Sequence, residues 1–186
     1  EFMNNKQYKK LTFKNSLGTN LTIELPKDHI WAGGNTIING TPTIANMPTE
    51  EIFTSPYKYG VNGIVYSSKP LVYNGSLIED FYLEFKDGEV VNFDAKKGND
   101  ILRQIIETDE NSKYLGEVAL VDYDSPISKS NLVFYETLYD ENAACHLALG
   151  SSYLECIKEP NFDIVNKSST HVDFMIGTSD LKIYGD

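Results

Sequence analysis

The sequence predicts an α+β fold: a mixed, largely antiparallel sheet with a few helices. Three observations carry that prediction. Phe81, Leu83 and Phe85 alternate with Tyr82, Glu84 and Lys86, Asp87-Gly88 supplies a two-residue turn, and Val90-Val91-Asn92-Phe93 returns. This is the pattern of a hairpin with one buried face. After Gly98, residues Ile101, Leu102, Ile105 and Ile106 share one stripe of a helix that Asn99 or Asp100 can cap. Strand and helix signals then follow in no repeating order, which favours α+β over regular βαβ units.

The remaining elements are read in order. Residues 11–25 form two short strands around Gly18-Thr19-Asn20, with Thr22, Ile23 and Leu25 in the second. After Trp31-Ala32-Gly33-Gly34, a segment rich in Gly, Thr, Pro and Asn reads as mostly loop as far as Pro48. Strand signals resume at Gly63-Ile64-Val65-Tyr66. A second short helix is expected through Lys113 to Leu115, then a buried strand from Gly116 to Val121. A third helix is expected from Asp140 through Ala143, Ala144, Cys145, Leu147 and Leu149, stopping at Gly150. The last expected element is a strand from His171 to Ile176.

Composition bounds the function. The 186 residues are 41% hydrophobic and 12% aromatic, enough for one sizeable core. A net charge of -11 disfavours nucleic acid and anionic membrane surfaces as partners. No apolar run is long enough to span a bilayer, and no secretory signal opens the sequence. Cys145 and Cys156 do not make a disulfide framework in a chain of this length, and Cys145 reads as a small core residue. Reduced thiols without a targeting segment predict a cytoplasmic protein. Glu1-Phe2 before Met3 is what a translated restriction site encodes, so residues 1–2 are read as a cloning remnant.

The chemistry is expected where charged side chains fall inside apolar elements, because burying an unpaired carboxylate or imidazole is costly. Alternation puts His171, Asp173 and Met175 on one strand face, so a His-x-Asp pair offers nitrogen and oxygen ligands side by side. The plainer alternative is a solvated sheet face. Glu117 leads into a run of small and apolar residues, and is otherwise a strand-end carboxylate in solvent. Glu141 suits the first turn of the expected third helix, where a negative charge favours the dipole. His146 lies among Cys145, Leu147 and Leu149 with no sequence neighbour to pair it. On a regular helix Glu141 and His146 would stand about 140° apart, a permissive spacing only. Glu50-Glu51 follows a loop in which Asn46 or Thr49 can cap and Pro48 fixes the approach. Adjacent carboxylates commonly mean a solvated acidic surface; the functional alternative is one metal ligand beside one base.

Together these residues closely resemble the aminopeptidase T and aminopeptidase S family of metallopeptidases. The resemblance rests on Trp31-Ala32-Gly33-Gly34, on residues 45–54 (Ala-Asn-Met-Pro-Thr-Glu-Glu-Ile-Phe-Thr) and on residues 115–121 (Leu-Gly-Glu-Val-Ala-Leu-Val). It continues through residues 134–150, from Phe134 to Gly150, and closes with His171-Val172-Asp173-Phe174-Met175-Ile176-Gly177. The blocks occur in the family's order over nearly the whole chain.

The resemblance implies a metal site at strand and helix ends. In it Glu51, Glu117, Glu141, His146, His171 and Asp173 take the ligand positions for two divalent cations, with Glu117 as bridge. Such a set suits zinc, cobalt or manganese and, lacking thiolates, excludes a structural zinc knuckle. It further implies removal of N-terminal residues from a peptide substrate, with Tyr153, which matches an active-site tyrosine of the family, as hydrogen-bond donor to the oxyanion; Glu50 is the candidate base, because a neighbour of a metal ligand is held close without being coordinated. Family members carry a further N-terminal domain before the Trp-Gly-Gly region, and this sequence has no counterpart of it. Residues 3–186 are therefore expected to be the C-terminal, metal-binding catalytic domain. They belong to a protein that is a homodimer at full length, or alternatively form a non-catalytic metal-binding module.

Overall fold

The computed structural model describes residues 1–33, 36–44 and 51–186. Two antiparallel sheets dominate it. The larger orders β10 (Glu89–Lys97), β9 (Ser76–Lys86), β7 (Val61–Tyr66), β2 (Asn20–Glu24), β1 (Lys10–Lys14) and β14 (Lys182–Gly185), with β8 (Leu71–Tyr73) beside the start of β9. The second orders β13 (His171–Met175), β12 (His146–Gly150), β11 (Leu115–Leu120), β6 (Ile52–Thr54) and β3 (Ala32–Gly33). A separate hairpin pairs β4 (Thr36–Ile38) with β5 (Thr41–Thr43). Four short helices, α1 (Phe2–Lys6), α2 (Asn99–Ile106), α3 (Pro126–Lys129) and α4 (Thr137–Asp140), lie between or before the strands. One-turn 3-10 helices cover Glu141–Ala143 and Leu154–Cys156. This is the expected α+β class. No helix among the described residues is long and apolar enough to cross a membrane.

The larger sheet follows its sequence closely. In β1 and β2 the buried residues alternate with exposed or half-buried ones, placing Leu11, Phe13, Leu21 and Ile23 inward. The β9–β10 hairpin turns at Asp87-Gly88, as expected. Both residues have positive φ, 51° and 86°, the geometry a two-residue hairpin turn requires. In α2, Leu102, Ile105 and Ile106 are buried. The carbonyl of Gly98, rather than an Asn99 or Asp100 side chain, opens this helix, accepting from Ile101 and Leu102 at 3.0 and 2.9 Å.

The structure departs from the expected elements at several places. Residues 146–150 form strand β12, not the end of a third helix; the helical part of that region stops at the turn Glu141–Ala143. β12 lies between β11 and β13 and is buried at all five positions. A strand covered on both faces shows an unbroken apolar run rather than alternation, so its period is invisible in the sequence. The short helix expected through Lys113 to Leu115 is instead a turn leading into β11. The segment expected to be mostly loop contains the β4–β5 hairpin. His171–Met175 is not the last element, since β14 pairs with β1 and closes that edge of the larger sheet.

The sheets share one core. Phe81 of the larger sheet meets Phe174 of the smaller with ring centroids 5.8 Å apart, and Val118, Leu147, Leu149 and Val172 join the same buried cluster. That packing uses one face of the smaller sheet and leaves the other to carry polar side chains.

Candidate metal centre

The polar face of the smaller sheet follows from its register. Directly paired residues on antiparallel strands point to the same side. Glu117 pairs with Ala148, and Ala148 with Asp173, so two carboxylates flank one methyl group. In the next row Phe53 pairs with Ala119, Ala119 with His146, and His146 with Met175. Gly150 opposes His171. Small residues at 119, 148 and 150 leave room between the long polar ones. Glu51 reaches the same face from the residue before β6, two positions from Phe53. Glu141 opens the 3-10 turn that leads into β12.

The six residues singled out in the sequence as ligand candidates thus converge. Three overlapping groups form: Glu51, Glu117 and His146; Glu117, His171 and Asp173; and Glu141, His146 and Asp173. Within each group the candidate donor atoms lie within 4.8 Å of one another. His171 Nε2 is 2.9 Å from Glu117 Oε2 and 3.3 Å from Asp173 Oδ1, and His146 Nε2 is 3.4 Å from Glu51 Oε1. Each imidazole turns its other nitrogen to the backbone: His146 Nδ1 is 3.0 Å from Ala144 O and His171 Nδ1 is 2.7 Å from Ser151 O. A carbonyl can only accept, so Nδ1 donates in both rings and Nε2 is directed into the cluster. Glu50, the expected base, lies outside the described residues.

The electrostatics of the cluster would favour a cation. Burial raises the pKa of Glu117, opposed by its hydrogen bond to His171. Burial also lifts Glu141 to about 8, reinforced by Asp173, Glu51 and Glu117. For the imidazoles burial acts downward, but the surrounding carboxylates outweigh it and hold His146 at about 10 and His171 at about 11. Burial acts upward on Asp173, yet the bond to His171 keeps it below its ordinary value. Four carboxylates against two imidazoles leave negative charge in excess even when both rings are protonated. The cluster therefore holds protons tightly, as a set of metal ligands does without competing cations. The oxygen and imidazole donors, with both rings oriented by carbonyls, fit a divalent metal of borderline character.

Tyr153 stands at the rim of the cluster. Its hydroxyl is 3.3 Å from His171 Nε2, its ring packs on His171 at 4.9 Å and on Phe53 at 5.4 Å, and 37% of it is exposed. Burial and then the charge of Glu117 and Asp173 raise its pKa, so it remains a phenol and a donor. The backbone partners Ala144 and Ser151 escaped sequence reasoning, since a carbonyl's role leaves no residue-type signal. Phe53 could have been found by its two-residue spacing from Glu51.

The whole chain, residues 1–186, matches the family described as thermophilic metalloprotease (M29). The chain belongs to the M29 metallopeptidase family. It is 50% identical to aminopeptidase AmpS of Bacillus subtilis over 198 residues and 50% identical to aminopeptidase 2 of Geobacillus stearothermophilus over 194. Each alignment covers 100% of this chain and 47% of the relative. The solved structure of wild-type AmpT from Thermus thermophilus superposes with a TM-score of 0.94 at 41% identity, over 99% of this chain and 47% of that one. A 2,5-dihydroxypyridine dioxygenase from Pseudomonas putida shares the fold alone, at a TM-score of 0.66 and 16% identity. This M29 chain spans about half the length of the curated relatives it matches. The relatives carry aminopeptidase names, and M29 is a family of metalloproteases.

Proposed function

We propose that residues 3–186 are the metal-binding catalytic part of an aminopeptidase, in which Glu51, Glu117, Glu141, His146, His171 and Asp173 hold two divalent cations. The observation that carries this reading is the convergence of these side chains on one sheet face, with Glu117, His146 and Asp173 each common to two of the three donor groups. The family resemblance suggests Glu117 as the bridging ligand, and its place in the groups of both His146 and His171 is consistent with that role. The absence of thiolates among the six favours zinc, cobalt or manganese. When bound, such ions act as Lewis acids and lower the pKa of water at the site.

The chain's own residues would do the rest. The excess of carboxylates attracts the α-ammonium group of a peptide's first residue. Glu50, next in sequence to Glu51, takes the proton of the attacking water on a carboxylate oxygen and returns it to the leaving amine nitrogen. Tyr153 donates its phenolic hydrogen to the oxyanion that develops on the scissile carbonyl. Two free, buried cysteines suit a cytoplasmic setting, and the resemblance suggests a homodimer for the longer protein.

A second reading is favoured by the 47% coverage of the relatives: these residues bind metal but need the remainder of such a protein to hold a peptide. The test is release of p-nitroaniline from leucine p-nitroanilide by the zinc- or cobalt-loaded chain, with elemental analysis of bound metal. Turnover lost both to a chelator and to Glu117→Gln supports the first reading. Stoichiometric metal without turnover supports the second. No retained metal in a folded chain overturns both.

A further inference from the structure

Strand β6 carries more of the site than its ligand. Alternation puts Glu51, Phe53 and Ser55 on one side of this strand, while Thr54 turns away to donate to Ile30 O at 3.0 Å. Phe53 packs its ring edgewise on Tyr153. Ser55 is fully buried, and its hydroxyl makes a reciprocal pair of bonds with the backbone of Tyr153, 98 positions away. Ser55 Oγ donates to Tyr153 O at 2.9 Å and accepts from Tyr153 N at 3.1 Å. Tyr153 O also accepts from Cys156 N at 3.2 Å, starting the turn Leu154–Cys156. A side chain that satisfies both polar groups of one residue imitates a strand partner for it. These bonds hold the backbone of Tyr153, while the two ring contacts and the 3.3 Å contact of its hydroxyl with His171 Nε2 hold its side chain.

We propose that Ser55 is the positioning residue for Tyr153, tying the tyrosine's backbone to the strand that presents Glu51, so that hydroxyl and metal ligands keep a fixed relative placement. Among the described residues the hydrogen bonds of Ser55 go to the Tyr153 backbone and to Cys156 of the turn that follows it, so it acts through the placement of Tyr153. The consequence for turnover rests on the function proposed above, whereas the structural consequence does not.

The experiment uses the metal-loaded protein with 3-fluorotyrosine incorporated at position 153. The unaltered protein gives one narrow fluorine resonance, and Ser55→Ala broadens or splits it with metal content unchanged. In the same preparation Ser55→Ala lowers kcat about tenfold with little change in KM, since misplacing a transition-state donor leaves ground-state binding intact. Adding Ser55→Ala to Tyr153→Phe costs nothing further, because the hydroxyl it positions is already gone. An unchanged resonance, additive losses in the double variant, or loss of bound metal from Ser55→Ala would each overturn the proposal. Should Ser55→Ala not fold, amide exchange in the unaltered protein decides: the Tyr153 N–H should be protected like the amides of β6, and exchange at loop rates refutes the bond. If the unaltered protein shows no turnover, the functional reading fails, and the fluorine and exchange results still judge Ser55.

Discussion

A buried imidazole needs both nitrogens satisfied, and His146 and His171 meet that need in the same way: a carbonyl holds Nδ1 and the cluster takes Nε2. On the metal assignment proposed above, a cation and protons would compete for the same atoms. His146 near 10, His171 near 11 and Glu141 near 8 all have pKa values raised above their ordinary range, so at neutral pH these groups carry protons that a cation must displace. Metal affinity should accordingly rise with pH, with about two to three protons released per chain near pH 7. Calorimetric titration in buffers of different ionisation enthalpy measures that number directly, and an affinity flat from about pH 6 to 8 would contradict the assignment. Glu117 lies 2.9 Å from His171 and is nearly inaccessible. Glu117→Ala removes the nearer of two carboxylates at this ring, leaving Asp173 at 3.3 Å, and without metal it should cost about 1–3 kcal/mol in urea unfolding.

Among the elements, β12 explains both the site and the difficulty of reading it. Ala148 sits between Glu117 and Asp173, and the space above its methyl is what the carboxylates share. Ala148→Val should destabilise the chain by about 1–3 kcal/mol through overpacking and reduce bound metal below its normal stoichiometry. Unaltered metal content in that variant would place the ligands elsewhere. The β9–β10 hairpin was legible because one side of it is wet and Asp-Gly has a distinct turn chemistry. β12 was not, because Leu147 and Leu149 are buried just as His146 and Ala148 are, leaving no period to detect. β14 was missed because its four residues are all exposed, and only its pairing with β1 defines it.

The loop before β13 is pinned by Asp109, whose Oδ2 accepts from the Ser168 hydroxyl and from the backbone and hydroxyl of Ser169 at 2.7–2.8 Å. Burial works to raise this carboxyl, but those bonds outweigh it and hold its pKa well below the ordinary range. A depressed folded-state value means the contribution is complete above the unfolded value near pH 4 and is lost as pH falls through the folded one. Asp109→Asn should therefore cost about 1 kcal/mol at pH 7, a figure reduced for solvent screening of this accessible carboxyl, and progressively less in acid. Parallel unfolding curves for the two proteins at neutral and acid pH check this, and a constant difference would refute it.

At the scale of the whole molecule, two sheets share a core on one side, and the smaller turns its other face to six ligand-type side chains from five separate chain segments. Each of those residues had a plain alternative in the sequence, since a carboxylate before a strand or at a helix start is usually solvated. What sequence position could not convey is that Glu51, Glu117 and Glu141, more than twenty residues apart from one another, meet at His146 and Asp173. The order of the sequence blocks suggested that meeting; the register of β11, β12 and β13 gives it a physical cause.

The most direct test of the central claim is a crystal of the zinc- or cobalt-soaked protein, with anomalous scattering recorded at the metal's absorption edge. The account predicts two peaks about 3.5–4 Å apart, as in two-metal hydrolytic sites, both among these six side chains and with a Glu117 oxygen between them. A single peak, or peaks coordinated by other residues, would contradict it.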